Sequence, residues 1–92
     1  MKHARPDYDR IQDPMGKIPD DEPVFLIRGQ DTAAIRTLQY YAHVAESHGA
    51  DAGLINAVRR QVDAIRRWQE ENGSKVADLP AAVEVRKGNV DE

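Results

Sequence analysis

The chain has 92 residues, 40% hydrophobic and 32% charged, and only five are aromatic. Its 13 lysines and arginines against 16 acids leave a net charge of −3. That excludes a general nucleic-acid binder, which needs a basic excess to displace counterions from phosphates; the absence of cysteine also excludes a disulfide framework and thiolate metal sites.

A chain of this length forms one small domain, 1–92, with a modest core. Its longest apolar run, Val24-Phe25-Leu26-Ile27, is far short of a membrane span. The first residues, Met1 to Asp7, lack the apolar stretch of a secretory signal, so the expected setting is cytoplasmic, without a membrane partner.

Residues 1–23 contain Pro6, Pro14, Pro19 and Pro23 among alternating charges. Each proline lacks an amide donor and restricts its predecessor, so no long helix is expected there. Asp13-Pro14, Met15-Gly16 and the Pro19–Pro23 stretch read as turns. The segment is either a mobile arm or an extended arm laid across a neighbour, with Tyr8, Ile11, Met15 and Ile18 as apolar anchors.

Val24-Phe25-Leu26-Ile27-Arg28 follows, bounded by Pro23 and Gly29. Its consecutive apolar, partly β-branched residues predict a short strand buried on both faces. Such a strand needs a partner for its backbone groups; residues 83–86 alternate suitably, as would the same segment of a second copy.

A first helix is predicted over 31–48, with Asp31 as N-cap, Gly49 as its stop, and Ala34, Ile35, Leu38, Tyr41 or Ala42, and Ala45 on one face. A second, 51–72, begins at Asp51 and ends at Asn72-Gly73. Its stripe Leu54, Ile55, Val58, Val62, Ile65 is the clearest periodic signal in the chain. The short Gly49-Ala50 link forces the two helices antiparallel. Residues 74–92 form a polar tail, with Leu79-Pro80 available to pack on Trp68. The expected fold is therefore mainly α: an antiparallel helical hairpin preceded by a proline-rich extended arm and one short β-strand. Two helices and one strand give a thin core, and a homo-oligomer is the simplest remedy.

Chemistry-bearing residues are sparse. Ser47 and Ser74 with His3, His43 and His48 make no recognisable triad, and no nucleophile elbow, phosphate loop or zinc motif is present. No catalytic, metal or cofactor site is expected. The most suggestive constellation is Arg28-Gly29-Gln30-Asp31-Thr32, where a glycine precedes a helix start. Helix amides there would hold an anion, Arg28 would make a bidentate phosphate contact, and Gln30 and Thr32 would read polar edges. A simple capped strand-to-helix turn explains the same residues, and Asp31 occupies some of those amides with the wrong charge. Arg5 and Tyr8 on the arm add a cation and a stacking ring suited to a nucleotide.

Arg59, Arg60, Arg66 and Arg67 lie among Asp63, Glu70 and Glu71, and Asp63 precedes Arg67 by four, the orientation of a salt-bridged exposed face. Otherwise they form an arginine patch at an oligomer seam. Trp68 reads as core rather than binding platform, and one of Tyr40 and Tyr41 is expected in the hairpin seam. The helices are too long, and the charge is wrong, for a helix-turn-helix DNA reader.

The block Asp13-Pro14-x-Gly16-x-Ile18-Pro19-x-Asp21-Glu22-Pro23-Val24-Phe25-Leu26-Ile27-Arg28-Gly29-Gln30-Asp31, with Trp68 and Lys75-x-x-Asp78-Leu79-Pro80, resembles small proteins of tailed bacteriophages and prophages. The resemblance covers roughly residues 5–80. It implies a bacterial host cytoplasm and carries no defined active-site residues. Two functions are compatible with it. One is a non-enzymatic counter-defence sponge that sequesters a cyclic nucleotide or ADP-ribose-type immune signal through Arg5, Tyr8, Arg28, Gly29, Gln30 and Thr32. The other is an inhibitor or adaptor that docks on a host or phage protein through the arm and hairpin.

Overall fold

The structure, a computed structural model, describes residues 12–79. The chain divides at Leu26/Ile27 and again at Ala77/Asp78 into two compact units. The central unit holds a helical hairpin of α1, Ala34–Ser47, and α2, Ala52–Asn72.

The hairpin follows from its apolar stripes and its turn. Among the described residues the buried apolar side chains are Ala34 and Ala42 of α1, eight apart, and Ile55, Val62 and Ile65 of α2, seven and three apart, all helical spacings. Two of these five are alanines, so the core is thin, as expected from the composition. At the corner, the Ala50 amide donates to the Ala45 carbonyl and the Gly49 amide to that of Glu46, each at 3.0 Å. This pair of bonds is the Schellman closure, and it requires the left-handed backbone that Gly49 adopts at φ +80°. Asp51 then caps α2 by accepting from the Gly53 amide at 2.9 Å. Gly73, at φ +81°, ends the helix.

Helix α1 begins three residues later than Asp31. The reason is a parallel bridge between Asp31 and Lys75. The Thr32 amide donates to the Lys75 carbonyl at 2.9 Å and the Lys75 amide to the Gln30 carbonyl at 2.8 Å. That pairing keeps the backbone at Asp31 out of the helix. Asp31 instead caps a local turn, its carboxylate accepting from the Ala33 amide at 2.8 Å. The beginning of the expected tail is thus tied to the start of α1.

In the other unit, the two turns expected from the prolines are formed. The Gly16 amide donates to the Asp13 carbonyl at 3.0 Å, with Gly16 at φ +62°. The Asp13 carboxylate accepts from the Lys17 amide at 3.0 Å and the Ile18 amide at 2.9 Å. A second turn closes from the Glu22 amide to the Pro19 carbonyl. The strand expected over 24–28 is not formed as a strand among the described residues. Residues 25–28 have no regular secondary structure, and Phe25 and Leu26 are 64% and 41% exposed rather than buried on two faces. Val24 takes part in a β-bridge, and Val24 and Ile27 are half-buried. The arm over 1–11, and any pairing of 83–86 with 24–28, lie outside the described residues.

Candidate functional site

The turn between Arg28 and Ala34 is held down from α2. The Gln69 side-chain amide donates to the carbonyls of Gly29 at 2.9 Å and Asp31 at 3.1 Å, in a partly buried setting. One glutamine therefore clamps two carbonyls of a segment almost forty residues away. The clamp places Arg28, Gly29 and Gln30 over α2, where with Gln61, Ala64, Ile65 and Trp68 they line a shallow cavity of about 330 Å³.

The cavity differs from the site drawn from sequence in its chemistry. Four successive amides at the helix start are already donated internally. Asp31 donates to the Arg28 carbonyl, Thr32 to Lys75, Ala33 to the Asp31 carboxylate and Ala34 to the Asp31 carbonyl. These cannot cradle an anion, and the Asp31 carboxylate beside them repels one. At the cavity the candidate anion contact is a side chain, that of Arg28, which lines its wall.

The expected ligand-contacting residues accordingly separate. Arg28, Gly29 and Gln30 share the cavity, whereas Thr32 is exposed outside it and its hydroxyl reaches the Ser74 hydroxyl at 3.5 Å. Arg5 and Tyr8 lie outside the described residues. Gly29 has no left-handed backbone, and a methyl group there would meet only Ile65 Cγ1, at 3.8 Å. Its smallness keeps the cavity wall open rather than permitting a special turn.

Trp68 is not core. It is 45% exposed and lines the cavity together with Arg28, Gln30 and Gln61. Gln61 and Ala64 join it from the preceding two turns. Their signal is present in the sequence as the 61/64/68 spacing one residue off the main stripe, but polar Gln61 and small Ala64 hide it. Tyr40 and Tyr41 are both exposed, at 70% and 48%, so neither fills the hairpin seam. The Tyr40 ring lies 6.4 Å from the His43 ring, centroid to centroid.

On the other side of the hairpin, Gln39, His43, Arg59, Asp63 and Arg66 rim a second groove of about 390 Å³, floored by Ala42 and Val62. Its arginines are partnered. Arg59 meets Glu46 at 3.4 Å across the helices, and Arg66 meets Asp63 at 3.3 Å. Asp63 therefore pairs three residues on, with Arg66, and not with Arg67 as the four-residue spacing proposed. The Ser47 hydroxyl donates to the Val44 carbonyl, and His48 Nδ1 bonds the same oxygen, so both side chains finish α1.

Among the described residues no helix is long and apolar enough to cross a membrane, and no cluster of His, Asp and Glu is arranged to hold a metal ion. No protein-family model, curated protein or solved structure matches the chain.

Proposed function

We propose that this chain is a non-enzymatic accessory protein that sequesters a small phosphate-bearing aromatic ligand, of the cyclic nucleotide or ADP-ribose type, in the cavity between Arg28 and Trp68. The carrying observation is that Arg28, the half-exposed Trp68, Gln30 and Gln61 line a single concavity. The indole stacks on a base, a contact worth about 1–3 kcal/mol. Arg28 meets phosphate, and Gln30 and Gln61 supply neutral donors and acceptors for base edges or ribose. With four amides of the turn already used, specificity rests on these side chains.

The cavity volume sets a limit on the ligand. About 330 Å³ lies at the lower end of small-molecule sites, which start at roughly 300 Å³. It suits one nucleotide unit rather than a whole cyclic dinucleotide, whose second half needs a second site. A second copy of the chain supplies it, and this links ligand size to a homo-oligomer. Sequestration of such a signal is a counter-defence role, and it is compatible with the bacterial host cytoplasm that the phage resemblance implies.

Thermal-shift measurements with AMP, cyclic di-AMP and ADP-ribose test the reading. A ligand at a hundred times its Kd stabilises by about 2.7 kcal/mol, a rise of roughly 10 °C or more in Tm for a chain of this size. Absence of a shift with all three at millimolar concentration refutes it. Native mass spectrometry of the ligand-bound protein reports the oligomer. The adaptor reading rests on a different observation, the exposed apolar residues along the hairpin, among them Tyr40, Tyr41 and Leu54.

A further inference from the structure

The chain has three asparagines, Asn56, Asn72 and Asn89, and only Asn72 is followed by glycine. Glycine has no side chain to hinder its amide nitrogen from approaching the preceding asparagine's Cγ, so a five-membered imide closes most readily at this pair. The pair stands at the end of α2, where Asn72 is the last helical residue and is exposed. Gly73 follows at φ +81° and ψ 179°, a combination essentially confined to glycine.

Two hydrogen bonds hold the reacting atoms back. The Gly73 amide donates to the Gln69 carbonyl at 2.7 Å. The Asn72 side-chain amide turns back along the helix and donates to the Trp68 carbonyl at 2.9 Å. The nitrogen's proton is engaged and the Asn72 side chain is drawn toward the preceding turn, so closure requires the last turn of α2 to open. Helix ends open at little cost in free energy, whereas helix interiors do not. Asn56 lies inside α2 and precedes Ala57, so it lacks both the glycine and the frayed end.

Only Gly73 and Ser74 separate Asn72 from Lys75. The Lys75 amide donates to the Gln30 carbonyl at 2.8 Å, and its carbonyl accepts from the Thr32 amide at 2.9 Å. One extra backbone carbon lengthens this link by about 1.5 Å. Two residues cannot absorb that while Lys75 keeps its register. A carboxylate at the end of α2 also opposes the helix dipole and joins Glu70 and Glu71.

We propose that Asn72-Gly73 is a self-modifying site: when the last turn of α2 opens, Asn72 converts to isoaspartate and the Lys75 bridge is released. The Gly73 nitrogen gives its proton to solvent base and bonds to Asn72 Cγ. The Cγ–Nδ2 bond breaks, and ammonia leaves with a proton taken back from water. One water then opens the imide. Attack at the side-chain carbonyl gives aspartate; attack at the main-chain carbonyl gives isoaspartate, whose chain runs through Cβ and Cγ. Water is the only co-reactant. Gln30 lines the Arg28 cavity, so release of the bridge loosens part of its wall. The modification itself does not depend on what that cavity holds.

The experiment incubates the full chain at pH 8 and 37 °C, folded and in 6 M guanidinium chloride, and maps the tryptic peptide 68–75. Labelling by isoaspartyl methyltransferase identifies the isomer. The folded chain gains one dalton at Asn72 at least ten times faster than at Asn56, and more slowly than the denatured chain does. The isoaspartate form loses hydrogen-exchange protection at the Thr32 and Lys75 amides, and its helical circular dichroism is otherwise kept. Asn72→Gln, which retains the amide but would need a six-membered ring, shows neither change. Asn72→Asp carries the charge without the extra carbon and keeps most of that protection. The proposal is overturned if folded Asn72 is intact after ten half-times of the denatured chain, or converts as fast as the denatured chain. It is equally overturned if aspartate is the sole product, if the isoaspartate form keeps full protection at Thr32 and Lys75, or if Asn72→Gln loses that protection on the same incubation.

Discussion

Gln69 is the residue on which the geometry of the Arg28 cavity most depends, and its removal has a calculable cost. Its side-chain amide donates to the Gly29 and Asp31 carbonyls at 2.9 and 3.1 Å, across 40 and 38 residues. Gln69→Leu keeps the bulk of the side chain and deletes both bonds. Each is worth about 0.5–1.5 kcal/mol net, and water reaches these half-buried carbonyls, so the expected loss is about 1–2 kcal/mol. For a domain of this size that lowers Tm by roughly 5–15 °C. Gln69→Glu is worse, since its carboxylate has nothing to donate and sets negative oxygens against two carbonyl oxygens. Circular dichroism melts at 222 nm measure the shift. Hydrogen exchange localises it: the Thr32 and Lys75 amides, which form the bridge beside the clamp, lose protection before those at the centre of α2. If Gln69→Leu melts within about 2 °C of the parent and those two amides keep their protection, the clamp does not hold the turn.

The core, caps and turn give further expectations. Ile65→Ala, at a 6% exposed position, costs about 2–5 kcal/mol, whereas Trp68→Ala at 45% exposure costs clearly less; equal losses in urea titrations would place Trp68 in the core after all. Gly49→Ala introduces a side chain at φ +80° with no neighbour within 4 Å. Its cost is therefore purely conformational, roughly 1–2 kcal/mol, and a neutral result would contradict the Schellman closure. Asp51→Ala removes the α2 cap for about 1 kcal/mol, and Asp51→Asn restores most of it; failure of that rescue would mean that capping is not what Asp51 contributes. Gly29→Ala leaves the melting curve within about 0.5 kcal/mol of the parent, because only Ile65 Cγ1 lies near, at 3.8 Å.

The hairpin was legible because local rules agree over it. The 55/62/65 periodicity, Gly49 as a stop and Asp51 as a cap all depend on residues within a turn or two of one another. What escaped is non-local. Nothing near Asp31 reveals that Lys75 pairs with it, and that pairing delays α1 by three residues. Gln69 shares the edge of the main stripe with Trp68, and spacing alone does not say which of the two turns inward; Gln69 does, to reach two carbonyls, while Trp68 faces the cavity. The apolar run at 24–28 predicts a strand by propensity, but burial on both faces also depends on what packs against it, and Phe25 and Leu26 are exposed. Of the candidate site, Arg28, Gly29 and Gln30 were readable as a group, and Thr32 was not separable from them without the Lys75 bridge.

The ligand reading is tested most directly at Trp68 itself. Stacking of a base on its indole predicts saturable quenching of the tryptophan emission by ADP-ribose or cyclic di-AMP. That quenching disappears in Arg28→Ala while the helical circular dichroism is unchanged. Emission unaffected by either ligand up to millimolar concentration, or quenching that persists undiminished in Arg28→Ala, contradicts a nucleotide held between Arg28 and Trp68.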